Sequence, residues 1–151
     1  MNSLRDRLSP EGRAEQQTDA KQRSLRLATA GILLEIAYAD QSFSMAEEKN
    51  LSGYLKSAFD LTDEEARDLI ESADQLRTRT IDHFALTNMV RKNTTHQERI
   101  EIVKTMWRLV YVDGNLHQYE GYLVRKLSDL LGVDHPQMIE AKLAVQDENR
   151  G

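Results

Sequence analysis

The chain has 151 residues, no cysteine and a formal net charge of −5 at pH 7, from 20 basic and 25 acidic side chains. This length suits one domain that buries roughly 70% of its unfolded surface, and the missing thiols exclude disulfides, thiolate catalysis and cysteine-ligated zinc. Residues 1–31 carry six basic and four acidic side chains, so the remainder is strongly acidic and a poor platform for nucleic-acid phosphates.

The first 18 residues are polar and show no periodic apolar face, which predicts a flexible N-terminal arm with room for a short helix at residues 4–8. They lack the apolar core of a secretory signal, which favours a cytoplasmic location. The longest apolar stretch, residues 28–39, contains Glu35 and is shorter than the roughly 20 residues that span a bilayer. The sequence therefore predicts no transmembrane segment.

A single all-α domain is predicted over residues 19–146, followed by a polar tail at 147–151. No stretch shows sustained period-two alternation, whereas apolar residues recur at helical spacing in about seven segments. The domain divides into two halves, about 19–74 and 80–146, joined by a linking segment at 74–79. The predicted helices cover residues 19–39, 45–59, 62–73, 81–91, 96–112, 118–131 and 134–145.

Local signals mark several helix ends. Ser44 and Glu47 form a capping-box pattern at the start of the second helix, and the same pattern recurs at residues 62–65 and 95–98. Gly132 suits the C-terminal cap of the sixth helix. The inward face of the fourth helix is predicted to hold Phe84, Met89 and Val90, with either Leu86 or Thr87.

The chain is organised around a repeat at an offset of 73 residues, in which YADQSFSMAEEKNL at 38–51 returns as YVDGNLHQYEGYLV at 111–124. Each copy sets a tyrosine and an aspartate at the end of an apolar helix, and a glutamate seven residues after the aspartate. Such a unit used twice predicts two pseudo-symmetric halves. Glu35 and Arg108 share this offset, which raises the hypothesis of an ion pair between the halves. The repeated positions are Tyr38 with Tyr111, Asp40 with Asp113, and Glu47 with Glu120.

This pattern resembles the tellurite-resistance B (TerB-like) family, in which an apolar helix ends in Ala-Asp-Gly and a glutamate follows seven residues after the aspartate. The second copy reads VDG at residues 112–114 and the first reads ADQ at 39–41. Since Gln41 and Val112 depart from the family pattern, the two loops are expected to differ in shape or in binding strength.

The resemblance covers about residues 25–144 and implies a seven-helix bundle that acts in bacterial stress or tellurite resistance. It also implies partner proteins, including membrane-associated stress-response components, and a divalent cation such as calcium bound by the acidic residues.

The residue chemistry leaves two interpretations of the acidic loops open. Asp40 and Asp113 follow helix C-termini, where negative charge is unfavourable by roughly 0.3–1 kcal/mol unless something compensates it. An Asx turn within each loop would compensate it, and so would a divalent cation held by oxygen ligands from both loops. An EF-hand is excluded, because Leu51 and Val124 stand where its twelfth-position glutamate would be. The predicted metal ligands are Asp40, Glu47, Asp113 and Glu120.

Three classes of function remain. We predict a non-enzymatic helical module that binds partner proteins and a divalent cation. The alternatives are a hydrolase-type enzyme that uses the same carboxylates as general acid and base, and a purely structural homodimeric scaffold. The sequence has no nucleophile motif, phosphate loop or cofactor signature, so we predict no catalytic residue and no other cofactor.

Overall fold

In a computed structural model, the backbone is described for residues 10–39, 43–79, 82–112 and 118–150, and within these ranges side chains are described for 18–39, 43–79, 82–112 and 120–149. This part of the chain contains seven α-helices and no strand, which confirms the predicted all-α class. The helices are α1 (Pro10–Ala37), α2 (Met45–Phe59), α3 (Asp63–Arg79), α4 (His83–Asn93), α5 (His96–Tyr111), α6 (Gln118–Leu130) and α7 (His135–Arg150).

The predicted caps are present and explain where these helices begin and end. At the start of α2 the Glu47 amide donates to Ser44 Oγ at 3.1 Å, and the Ser44 amide donates to Glu47 Oε1 at 3.2 Å. The same reciprocal bonds open α3 and α5. Gly132 follows α6 with a φ of 78°, a left-handed conformation that glycine adopts without steric cost.

Three helices are longer than the sequence pattern predicted. Helix α1 begins at Pro10 rather than at about residue 19, although whether residues 1–18 form a flexible arm stays a prediction. Helix α7 continues to Arg150. Helix α3 continues to Arg79 rather than ending near residue 73, so it runs through the predicted linking segment at 74–79; the role of that segment as a link between two halves stays a prediction. Asp74 and Arg77 form an ion pair across one helical turn there at 3.3 Å. Such pairs stabilise a helical segment that has few apolar residues.

Helices α1 and α5 form the centre of the bundle. Helix α1 packs against α2, α3, α4, α5 and α6, while α5 also packs against α2, α6 and α7. The core side chains of these two helices are fully or almost fully buried. They include Ile32, Leu33, Leu34, Ile36, Ile102, Val103, Met106, Trp107 and Leu109.

The three helices before α4 and the three after it contact one another in matching pairs. Helix α1 packs on α2 and α3, as α5 packs on α6 and α7, and α2 reaches α5 as α6 reaches α1. Counterparts at the 73-residue offset are similarly buried, for example Leu33 with Met106 and Leu51 with Val124. These contacts agree with the sequence repeat, while a twofold axis relating the halves stays a prediction.

Helix α4 has a narrower buried face than predicted. Thr87 and Val90 are buried, whereas Phe84 is 65% exposed, so its predicted inward orientation was wrong. The reason is the helical period of about 100° per residue. Phe84 stands about 60° round the helix from Thr87 and about 120° from Val90, so it falls outside the narrow stripe that those two residues form. Leu86 and Met89 pack against the edge of the core.

Candidate functional site

The two glutamates of the predicted ligand set are both buried. Glu47 is 7% exposed and Glu120 is 4% exposed, although each is a charged residue in the first turn of its helix. Asp40 and Asp113 lie outside the described residues. The structure therefore places half of the predicted set, and its use as a metal site stays a prediction.

The position of Glu47 follows from the local sequence. It is the third residue of α2, where its carboxylate reaches back to the Ser44 amide and closes the capping box. Glu120 occupies the third position of α6, so both carboxylates lie where the helix dipole favours negative charge. Among the described residues, no three or more histidine, aspartate or glutamate side chains are grouped so that they could hold a metal ion. A site with three or more such ligands would have to include residues outside this part of the chain, such as Asp40 and Asp113.

The repeated tyrosines each contact the third helix of their own half. The Arg77 guanidinium lies 4.2 Å from the centre of the Tyr38 ring, and burial together with the nearby Asp74 carboxylate raises the pKa of the Tyr38 hydroxyl. Gln146 Nε2 donates to the Tyr111 hydroxyl at 3.3 Å. These tyrosines therefore join the helix before each acidic loop to the last helix of the same half.

The hypothesis of an ion pair between Glu35 and Arg108 was wrong, because each side chain pairs elsewhere. Glu35 Oε2 lies 3.2 Å from His83 Nε2, and Glu35 Oε1 lies 3.7 Å from Arg77 Nη1. Arg108 forms a two-pronged contact with Glu148, with N–O distances of 3.0 and 2.9 Å. Glu35 thus links α1 to α3 through Arg77, and its counterpart Arg108 links α5 to α7 through Glu148. The acidic and basic partners are exchanged between the two pairs.

The Arg108–Glu148 contact perturbs both partners. Its hydrogen bonds hold the pKa of the Glu148 carboxyl below its usual range and raise the pKa of the Arg108 guanidinium. A carboxylate that accepts charged hydrogen bonds in this geometry is favoured in its ionised form.

A groove of about 760 Å³, which the sequence analysis missed, lies between α1, α2 and α5. Leu25, Ile102 and Phe59 contribute apolar surface, and a Cβ built on Gly53 would meet nothing within 4 Å. Burial and the nearby Glu101 and Glu98 carboxylates raise the pKa of the Tyr54 hydroxyl on its wall. The signal that could have revealed it is the small and polar surface of α2, where Gly53, Ser57 and Ala58 interrupt the apolar face.

Comparison with known proteins assigns the family. The sequence matches the family described as TerB, tellurite resistance protein TerB, over residues 26–143. The chain belongs to the TerB family. No curated protein and no solved structure gives a match, so the family assignment depends on this match alone.

The TerB match includes both acidic loops and both buried glutamates, and it extends from α1 into α7. It also takes in most of the surface around the groove. No helix among the described residues combines the length and apolar character that a bilayer crossing needs.

Proposed function

We propose that this TerB-family chain is a non-enzymatic interaction module of a bacterial stress or tellurite-resistance response. In this proposal it binds partner proteins, and its acidic loops take up a divalent cation such as calcium. The observation that carries the proposal is the burial of Glu47 and Glu120, both at the 73-residue repeat. Ionised carboxylates are seldom buried unless hydrogen bonds, a paired charge or a cation compensates the lost hydration. The capping bond from the Ser44 amide compensates Glu47 in part, and in this proposal a cation adds to that compensation.

The chemistry of the donor set fits a hard cation. Carboxylate oxygens are the ligands that calcium prefers, and the N-termini of α2 and α6 favour the ionised form that such binding requires. Asp40 and Asp113 would complete the site, each from the loop that leads into one of these helices. A bound cation would neutralise the acidic loops and hold them in one arrangement, which would present a defined surface to a partner.

The charged side chains of the open groove support a binding role over catalysis. Glu98 is engaged in the cap of α5, Glu101 Oε1 lies 3.4 Å from Lys104 Nζ, and Arg108 is held by Glu148. Groups committed to such contacts are poorly suited to giving up and receiving protons in each turnover.

The test is thermal unfolding of metal-free protein with and without calcium. A ligand at a hundred times its Kd stabilises the folded state by about 2.7 kcal/mol, which raises the Tm of a chain of this size by roughly 5–11 °C. The double variant Glu47→Gln plus Glu120→Gln should lose this increase, since glutamine keeps a capping acceptor but removes the charge. Asp40→Ala plus Asp113→Ala should lose it as well.

The matched control is Glu48→Gln plus Glu140→Gln, which removes two exposed carboxylates from α2 and α7. It should keep the calcium-dependent increase in Tm. If calcium, magnesium and manganese all leave the Tm of the metal-free protein unchanged, the cation part of the proposal is wrong and only the partner-binding part remains.

A further inference from the structure

Helix α4 provides an internal example of how this bundle binds a helix. It lies across α1 and α6, with Val90 fully buried. His83 at its start contacts Glu35, and Leu86 Cδ1 lies 3.5 Å from the position that a Cβ on Gly31 would take. The contact therefore combines an apolar stripe, as in helix-in-groove recognition, with one polar contact between His83 and Glu35 in the first turn.

The counterpart surface on α5 and α2 carries no such helix among the described residues. At the 73-residue offset, Glu35 corresponds to Arg108, and Arg108 lines the open groove. Likewise Leu123 and Leu127 of α6 are buried, whereas their counterparts Asn50 and Tyr54 border the groove. The groove thus occupies the place on α5 and α2 that α4 fills on α1 and α6.

The volume of the groove is sufficient for the apolar side chains of a short helix. Helix α4 has 11 residues, which corresponds to a length of about 16 Å. The groove of about 760 Å³ has apolar surface at Leu25, Ile102 and Phe59, and open space above Gly53. Large apolar side chains of an incoming helix can therefore enter without displacing the backbone.

The charges of the groove specify the first turn of that helix. Where α4 places His83 against Glu35, a helix docked in the same way on α5 would place its first turn against Arg108. Arg108 Nη1 lies 3.4 Å from Thr105 Oγ1 on the groove wall, and Lys49 forms no ion pair with any described residue. Glu148 holds Nε and Nη2 of Arg108, and Nη1 is the nitrogen on the groove side. Because the charge at this position is reversed, an acidic residue near Nη1 complements it and the histidine of α4 does not.

We infer that this groove binds an amphipathic α-helix of a partner protein, about three turns long, with an aspartate or glutamate in its first turn. The inference rests on the proposed partner-binding role and is independent of the proposed cation. It names the surface that recognises the partner and the type of segment that fits it.

The probe for the experiment is a helix-stapled, fluorescein-labelled peptide with the sequence of residues 82–94 and the substitution His83→Glu. Its binding to the full chain is measured by fluorescence polarisation, and its location by amide chemical shifts of the ¹⁵N-labelled protein. We expect it to bind at least about tenfold more tightly than the unaltered peptide, with shifts at Gly53, Asn50 and Ile102. Lys49→Gln in the protein should reduce the difference between the two peptides severalfold.

Gly53→Leu is the blocking variant, because its side chain would enter the open groove. It should weaken binding of the acidic peptide by at least about tenfold. Since leucine is a better helix former than glycine, its Tm should equal or exceed that of the parent, which separates blocking from unfolding. Arg67→Leu on the exposed side of α3 is the control and should bind the peptide like the parent.

Equal affinity of the two peptides, unchanged binding by Gly53→Leu, or shifts confined to the α1–α6 surface would each overturn the inference. A dimer in light scattering that Gly53→Leu dissociates would also overturn it, because the groove would then hold a second copy of the chain. The two proposals can fail separately. A protein that does not bind the peptide can still show the calcium-dependent increase in Tm, and a protein without that increase can still bind the peptide.

Discussion

The two sides of the bundle differ in what covers them, and the residues differ accordingly. On the side of α1 and α6, helix α4 covers the surface and the chain has Leu123 and Leu127, both buried. On the side of α2 and α5, the counterparts are Asn50 and Tyr54, which border an open groove. The repeat therefore preserved the helical frame, while the side chains of each surface follow the neighbour that the surface has.

The largest expected effect tests whether the shared core is equivalent in the two halves. Leu33→Ala in α1 and Met106→Ala in α5 remove fully buried counterparts, and each should lower the free energy of unfolding by about 2–5 kcal/mol. Urea denaturation followed by circular dichroism measures both values. A difference of more than about 2 kcal/mol between them would contradict an equivalent core.

The next prediction compares Gly31, on the surface that α4 covers, with Gly53, in the open groove. Gly31→Leu should destabilise the protein by about 1–3 kcal/mol, because the larger side chain meets Leu86 of α4 and overpacks the crossing. Gly53→Leu should instead stabilise it by about 0.5–1 kcal/mol, because nothing lies near its Cβ and glycine is a poor helix former. Similar losses in both variants, measured in the same urea titrations, would mean that the groove is closed in solution.

A smaller difference is expected between the two reversed ion pairs. Glu35→Ala should cost about 1–2 kcal/mol, because it leaves Arg77 and His83, whose side chains are 21% and 16% exposed, without their shared acceptor. Arg108→Ala should cost only about 0.5 kcal/mol, since Glu148 is 49% exposed and water replaces the lost partner. Double-mutant cycles with Arg77→Ala and Glu148→Ala separate the pair energies from other losses, and equal coupling energies would contradict this ranking.

The smallest expected effect is the loss of stability at low pH that comes from the Arg108–Glu148 pair. Because the pKa of Glu148 is lowered in the folded state, its contribution is present above its ordinary value of 4.5 and is lost as the pH falls through the lowered value. The contribution should be a few tenths of a kcal/mol, given the exposure of the carboxylate. Glu148→Gln should therefore lose less stability than the parent below about pH 4.5. An identical decline in both proteins would show that this pair contributes nothing to the acid response.

The elements that depend on short-range signals could be predicted from the sequence. The start of α2 follows from Ser44 and Glu47, whose side chains satisfy backbone amides three residues apart, and the end of α6 follows from Gly132. The glutamates of the candidate site were also identified from the sequence, but their burial was not, because a capping carboxylate at a helix start is equally compatible with full exposure.

Features that depend on a neighbour distant in sequence were missed or misassigned. The predicted ion pair between Glu35 and Arg108 was wrong because the 73-residue offset only makes the two residues equivalent within their own halves. An ion pair requires that the two side chains lie close together. The groove was missed because Gly53, Ser57 and Ala58 indicate only that the apolar face of α2 is interrupted. Whether a helix from elsewhere in the chain covers that interruption depends on tertiary packing.

The sequence by itself determined the helical frame of this protein, its caps, its repeat and its membership of the TerB family, because periodicity, capping and motif spacing act over a few residues. Only the tertiary structure decided which helices meet, how deeply Glu47 and Glu120 are buried, and which of the two counterpart surfaces stays open. Those outcomes depend on side chains brought together from distant parts of the chain, and packing across the whole bundle selects among them.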